Sequence, residues 1–376
     1  GLESSHISGS VEEKIMLSEK SIQILKELSE LMAISGDEKE VRDYLKSKYS
    51  EYTDEIVFDN LGSVMAIKRS KNPNAKTVML LGHMDEVGFV VKTINDKGSI
   101  GLAPIGGWWS QTLLGQRVIV KNREGLKFKG TIGSIPPHLL TDADRAKPME
   151  IKNMLVDCGF ASKEEVLKAG INTGDAVILD GSFEYLNNGK RLLGKAFDNR
   201  YGCAMGLEIL DALKDVELDV HLAVGASVQE EVGTRGAQTI AYKIKPDAAI
   251  IFDCSPANDA SGDKDSFGQL GAGPLVRFID ANFLPHRGFI NHYVDILETN
   301  KLPYQYYQSL GGTDAGAVHR QYEGIMTLTM CLCARNLHTN STMIDADDYL
   351  NAKTAVLKLL ETLNSDTIEL LKKANQ

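Results

Sequence analysis

The chain has 376 residues, 43% hydrophobic and 24% charged, the make-up of a soluble globular protein with room for one large domain and a smaller one. Its 51 acids against 41 bases leave a formal charge of −10, which argues against nucleic acid or an anionic membrane as the main partner. Neither a membrane span nor secretion is expected from its hydropathy, and five cysteines (Cys158, Cys203, Cys254, Cys331, Cys333), an odd number set mostly in apolar stretches, read as reduced thiols of a cytoplasmic protein.

Residues 1–10, GLESSHISGS, are Ser/Gly-rich and read as an expression remnant or a disordered arm. SEKSIQILKELSELMAIS and KEVRDYLKSKYSEY carry apolar residues at helical spacing. The apolar run around 78–82 in TVMLLG has the look of a buried parallel strand. From Phe89 to about Arg191 the text changes to short β-type segments with turns, broken by one helical stretch, SKEEVLKAG. Alternation of helix and apolar strand then resumes: NRYGCAMGLEILDALKD as helix, then DVHLAVGASV, PDAAIIFD and GIMTLTMCLCA as strands, and a long helical tail from DDYLNAK onward. The expected architecture is α/β, a mixed central sheet with helices on both faces over 11–88 and 192–376. A small β-rich module, 89–191, is inserted into it.

Doubly wound sheets bind ligands at the carboxyl ends of their strands, so what stands there matters. TVMLLG leads to His83 and Asp85 in GHMDEVGF, and HLAVGASVQ leads to Glu230 and Glu231. AAIIF leads to Asp253 and TMCLCARNL to His338, while AFDNR places Asp198 just before a helix start. Two imidazoles with several carboxylates suit two borderline divalent cations such as zinc, cobalt or manganese. A metal-bound histidine needs its other ring nitrogen held, and Asp85, two residues beyond His83, is placed to do so. Adjacent glutamates in extended chain face opposite ways, so one can ligate a cation while the other works on the water that the cation activates.

Taken in order, GHMDEVGF, AFDNRYG, VQEEVGTRGA, FDCSPA, QYYQSLGGTDAGA and ARNLHT resemble the glutamyl aminopeptidase and tetrahedral aminopeptidase family, from about residue 20 to the end. The resemblance implies that Asp198 bridges two metal ions, that His83 and Asp253 complete one site, and that Glu231 and His338 complete the other. It implies Glu230 as the general base acting on a bridging water, and Asp85 as the group that orients His83. It also implies a PDZ-like insert that drives dimer formation, with six dimers building a tetrahedral dodecamer. DCSPA and YQYY lean toward the glutamyl branch, whereas Asn336 stands where the family often has an aromatic.

Related metal-dependent carboxypeptidases and deacylases use the same ligand order, but their second domain falls between the Glu pair and the final His. Here the β-rich text lies in the 115 residues between His83 and Asp198, and only 85 separate Asp253 from His338. A glycoside hydrolase would have no use for the two histidines. A non-catalytic metal-stabilised assembly protein would have no need to keep Glu230. The substrates are therefore expected to be peptides, and a preference for N-terminal Glu or Asp needs a cation near the first side chain. Arg277, in GPLVRFID, is the candidate. Thr313 and Asp314 of GGTDAG are expected to line the cleft, His138 to reach it from the insert, His319 to be structural, and Trp108 and Trp109 to pack in a core or interface.

Overall fold

The computed structural model describes residues 17–376; the Ser/Gly-rich first ten residues fall outside them. Two short strands, β1 (Ile56–Phe58) and β2 (Val64–Lys68), form a hairpin and lead to β3 (Lys76–His83). Six strands then close a barrel: β4 (Gly88–Ile94), β5 (Ile100–Ile105), β6 (Arg117–Lys121), β7 (Lys127–Ile132), β8 (Leu155–Asp157) and β9 (Ala176–Leu179). The chain returns through β10 (Glu184–Leu186), β11 (Arg191–Gly194), β12 (Val220–Ser227), β13 (Ala248–Ala257), β14 (Leu275–Ile279), β15 (Gln305–Gln308), β16 (Met326–Arg335) and β17 (Thr342–Asp345).

Eleven of these strands make one mixed sheet in the order β1-β2-β12-β3-β13-β16-β17-β11-β10, with β14 and β15 branching from β16. Its centre, β12-β3-β13-β16, is parallel, and all eight residues of β12 are buried. Helices on both faces remove such strands from water, which is why they read as unbroken apolar runs. One face is covered by the helices Glu19–Glu30, Phe197–Leu213 and Ala346–Thr362, whose Leu25, Leu28, Tyr201, Tyr349 and Val356 join the main core. The other face packs Ile240, Ala241, Ala315 and Val318 of Arg235–Ile244 and Asp314–Val318. The first helix begins at Ser18, whose hydroxyl accepts from the Ser21 amide, the usual stabilisation of a helix start. The barrel has a core of its own, built on Phe89, Val91, Val118, Val120, Ile132 and Val177.

Two elements differ from the sequence reading. The apolar stretch at 248 runs on to Ala257, so Asp253 lies inside β13 and not at its end, opposite Cys331 of β16. Its neighbour β3 stops pairing at Ile251, which opens one flank of β13 at Asp253. The helical tail is broken at Leu363–Asn364, where the Asn364 side chain accepts from the Thr367 amide and starts a second helix, Ser365–Lys372.

Candidate active site at the carboxyl edge of the central sheet

β3 ends at His83 and β12 at Ser227, paired in register, so the segments that follow them leave the sheet side by side. From β3 come Asp85 and Glu86; from β12, after a turn at Gln229, come Glu230 and Glu231. Asp198 enters from the first turn of Phe197–Leu213, Asp253 from β13, and His338 from the turn after β16. Strand termini of a parallel sheet thus gather donors that are distant in sequence.

Their ring nitrogens and carboxylate oxygens lie close together. His83 Nε2 is 3.0 Å from Asp198 Oδ1, 3.2 Å from Glu230 Oε2, 3.6 Å from Asp253 Oδ1 and 3.7 Å from Glu231 Oε1. His338 Nε2 is 3.2 Å from Asp198 Oδ2 and 3.1 Å from Glu231 Oε2. The two oxygens of Asp198 therefore face different histidines, the disposition of a carboxylate that bridges two cations. Three sets have ligand atoms all within 4.8 Å of one another: His83, Asp198 and Asp253; Asp198, Glu231 and His338; and His83, Glu230 and Glu231. Nitrogen and hard oxygen donors without thiolates fit zinc, cobalt or manganese in open sites. By geometry alone either glutamate could ligate.

Electrostatics agree with that fit. Burial comes first in pushing the Glu230 and Asp253 carboxyls well above the usual range; His83 partly offsets this at Glu230, and Asp198 adds to it at Asp253. Burial and the Asp198 charge push Glu231 up to about 7. Burial works against a charged His338, but its contacts with Asp198 and Glu231 prevail and raise it to about 11. Five carboxylates (Asp85, Asp198, Glu230, Glu231, Asp253) thus crowd two imidazoles in one buried cluster, and a pair of dications would lower the cost of ionising them there.

Asp85 does more than orient one imidazole. It is fully buried, its backbone carbonyl lies 3.0 Å from His83 Nδ1, and its Oδ1 lies 3.4 Å from the same nitrogen. Oδ1 also accepts from the Glu230 amide at 3.0 Å, while Oδ2 accepts from the Glu231 amide at 3.0 Å and the Ser35 hydroxyl at 2.6 Å. One residue back, Glu38 accepts from the Gln229 amide at 2.8 Å, and Gln229 holds a left-handed φ of 55°. Three consecutive amides are thus held by buried carboxylates, which pins the pair of glutamates. Glu38 and Ser35 had no signal in the sequence, because one holds a backbone amide and the other a carboxylate across a long separation.

A cavity of about 570 Å³ opens over the cluster, walled by Asp198, Glu230, Glu231, Asp253 and His338 on one side and by Arg277, Tyr307 and Ser309–Gly312 on another. Arg277 is buried and donates to Asp280 Oδ2 (3.1 Å), Ser255 Oγ (3.0 Å) and the Gly311 carbonyl (3.2 Å). A guanidinium has five N–H groups, so two remain. Other candidates lie elsewhere. Thr313 caps the short helix Asp314–Val318 and is buried. Asp314, also buried, accepts from Ser227 Oγ at 2.6 Å, and neither residue is among those that line the cavity next to Gly311 and Gly312. His138 is exposed on the barrel, off the wall of this cavity. His319 packs edge-on against Phe283 and bonds the Ala315 carbonyl, a structural place. Trp108 stacks on Phe89 in the barrel, whereas Trp109 is exposed.

The sequence profile of the M42 glutamyl aminopeptidase family matches residues 62–354. The glutamyl aminopeptidase of Lactococcus lactis subsp. cremoris is 39% identical over 349 residues, covering 93% of this chain and 98% of that protein. Among solved structures, the TET aminopeptidase of a marine sediment Thaumarchaeota archaeon superposes with a TM-score of 0.89 at 34% identity, over 94% of this chain and 100% of that one. The TET1 peptidase of Pyrococcus horikoshii, which can assemble into a tetrahedron or a large octahedral shell, gives 0.82 at 26% identity over 91% and 100%.

Proposed function

This chain belongs to the M42 glutamyl aminopeptidase family and is a metalloaminopeptidase, and on that premise we propose how its residues divide the work. His83, Asp198 and Asp253 would hold one divalent cation, and Asp198, Glu231 and His338 the other, zinc and cobalt being the first candidates and manganese the next. When bound, such a pair supplies Lewis-acid polarisation of the scissile carbonyl and lowers the pKa of water. Glu230, whose carboxylate converges with that of Glu231 on His83 although the two residues are neighbours in the chain, would take the proton of the attacking water and deliver it to the leaving amine. Asp85 and Glu38 hold the backbone that sets this pair. The observation that carries the reading is Asp198, with its two oxygens toward two histidines at 3.0 and 3.2 Å.

Acidic preference is the finer proposal. Arg277 lines the cavity that holds the cluster and keeps two N–H groups free of the partners described above, and an N-terminal Glu or Asp side chain would take them as an acceptor. Asp280 neutralises part of that charge, so discrimination would come from hydrogen-bond geometry as much as from net charge. The experiment is hydrolysis of Glu-, Asp-, Leu- and Lys-p-nitroanilide by the metal-depleted protein, before and after adding zinc, cobalt or manganese, with N-acetylated substrates alongside. Metal-restored release that favours Glu and Asp and stops on N-acetylation supports the whole reading. Release that favours Leu or Lys retires Arg277, and release from blocked substrates would move the chain to the deacylases.

Self-association is proposed through the inserted unit, 89–191, as dimers that build a dodecamer, since the TET1 relative assembles into closed shells. The span of that unit is itself part of the proposal, because β10 and β11 pair with the central sheet through β17. Mass measurement in solution tests it: a persistent monomer would overturn it. Among the described residues no helix is long and apolar enough to cross a membrane.

A further inference from the structure

We propose that the loop after β5, Gly106–Trp108, is a positioning element for His338, so that the barrel governs one of the two cation positions on the central domain and leaves the other alone. The inference rests on the ligand assignment proposed above.

The two histidines are oriented in different ways. His83 sits in a side-chain environment only 1% exposed, and its Nδ1 is engaged by Asp85, two residues along the same segment. His338 stands on a left-handed turn residue, φ 58°, and its side chain is 32% exposed, so packing confines its ring less than that of His83. Its Nε2 faces Asp198 and Glu231, and its Nδ1 meets the backbone carbonyl of Gly107 at 3.1 Å. Accepting the Nδ1 proton fixes the tautomer that leaves the Nε2 lone pair for a cation. That carbonyl comes from the inserted unit, 231 residues away in the chain.

The loop is built to deliver it. Gly106 has a φ of 82°, and a Cβ there would come 2.5 Å from Val87 Cγ1 and 3.5 Å from Glu231 Cβ, so glycine lets this backbone lie against the strand end. A Cβ on Gly107 would point toward His338 Nδ1 at 3.9 Å. Trp108 anchors the far side: its indole N–H donates to the Gly88 carbonyl at 3.0 Å, and its ring stacks on Phe89 at 4.7 Å. A rigid barrel thereby reaches across and sets one imidazole. Any strain in the barrel, including self-association through it, would be felt at the Asp198–Glu231–His338 position.

The test is titration of metal-depleted protein with Co²⁺ alone, followed by visible absorption and by equivalents bound. Wild type is expected to take two cations. Gly106→Ala and Trp108→Ala should bind one of them about 10–100-fold more weakly, the loss typical when a ligand's hydrogen-bonded partner is disturbed, with the other unchanged. His338→Ala should lose the same cation. Equal weakening of both, or of neither, in the loop variants overturns the loop's role. If His338→Ala retains both cations, the ligand assignment itself fails, and the inference with it. Should the loop variants not fold, the imidazole ¹⁵N shifts of His338 in loaded wild type still decide. Protonation at Nδ1 supports the geometry, and protonation at Nε2 overturns it.

Discussion

Two buried charged clusters stand within a few residues of each other at the same sheet edge, and they are built on opposite principles. Glu86 faces Arg200 Nη2 at 2.6 Å and Lys195 Nζ at 3.0 Å and accepts from the Ala33 amide at 3.0 Å. Arg200, fully buried, spends its remaining donors on the carbonyls of Leu28, Leu31, Ala33 and Met84. Every charge there has a partner that the chain itself supplies, so the cluster ties the first helix to β3 and the helix at Phe197. Across the strand end, Asp198, Glu230, Glu231 and Asp253 share two histidines and, among the described residues, no lysine or arginine within salt-bridge range. A chain that neutralises one buried carboxylate so completely leaves these four without a lysine or arginine partner among the described residues. Charge balance, more than burial, separates a structural network from a reactive one.

The comparison breaks first at Glu230. Glu230→Gln should cut kcat by about 10²–10⁴, the usual contribution of a general base, with KM and cation stoichiometry held; a loss of one bound cation instead would make Glu230 a ligand. Next comes Arg200→Met, which leaves Glu86 with Lys195 as its one cationic partner among the described residues and takes the donor from the carbonyls of Leu28, Leu31, Ala33 and Met84. It should cost about 3–5 kcal/mol in chemical denaturation, with or without metal. If that variant were as stable as wild type, the structural half of the contrast would collapse. Arg277→Ala sharpens the picture at the cavity wall: kcat/KM for Glu- and Asp-p-nitroanilide should fall about 10–100-fold, as expected for hydrogen bonds to a charged group, with Leu-p-nitroanilide within a few-fold. Equal losses on all substrates would assign it a packing role. The smallest effect is the most discriminating. In chelated protein, Asp253→Asn should leave thermal stability within about 1 kcal/mol of wild type, because burial and the Asp198 charge already favour the uncharged form of that carboxyl. In metal-loaded protein the same change should lose the stabilisation that binding supplies. Destabilisation in both states would mean that Asp253 is held like Glu86.

Which donors would meet was legible from strand ends: an apolar run that stops at His83, Ser227 or Arg335 hands its successors to one edge. Asp253 was found for a partly mistaken reason, since β13 continues past it and the opening comes from β3 ending sooner. Arg277 reached the cavity wall, but its partners Asp280 and Ser255 were invisible. Thr313 and Asp314 are buried off the cavity lining because Thr313 caps the short helix they start and Asp314 accepts from Ser227. His138 went to the outer surface of the barrel, because nothing in a short loop sequence encodes which way it faces.

By itself the sequence determined the class of fold, the order of the motifs and the chemical identity of the cluster. Those depend on local periodicity and on residue type, which are written along the chain. Tertiary structure alone decided the division of Asp198 between two histidines, the clamp of Asp85 and Glu38 on three amides, and the reach of the Gly107 carbonyl to His338. These are backbone hydrogen bonds and distances between segments far apart in sequence, and an amide or a carbonyl carries no side-chain letter from which to read them.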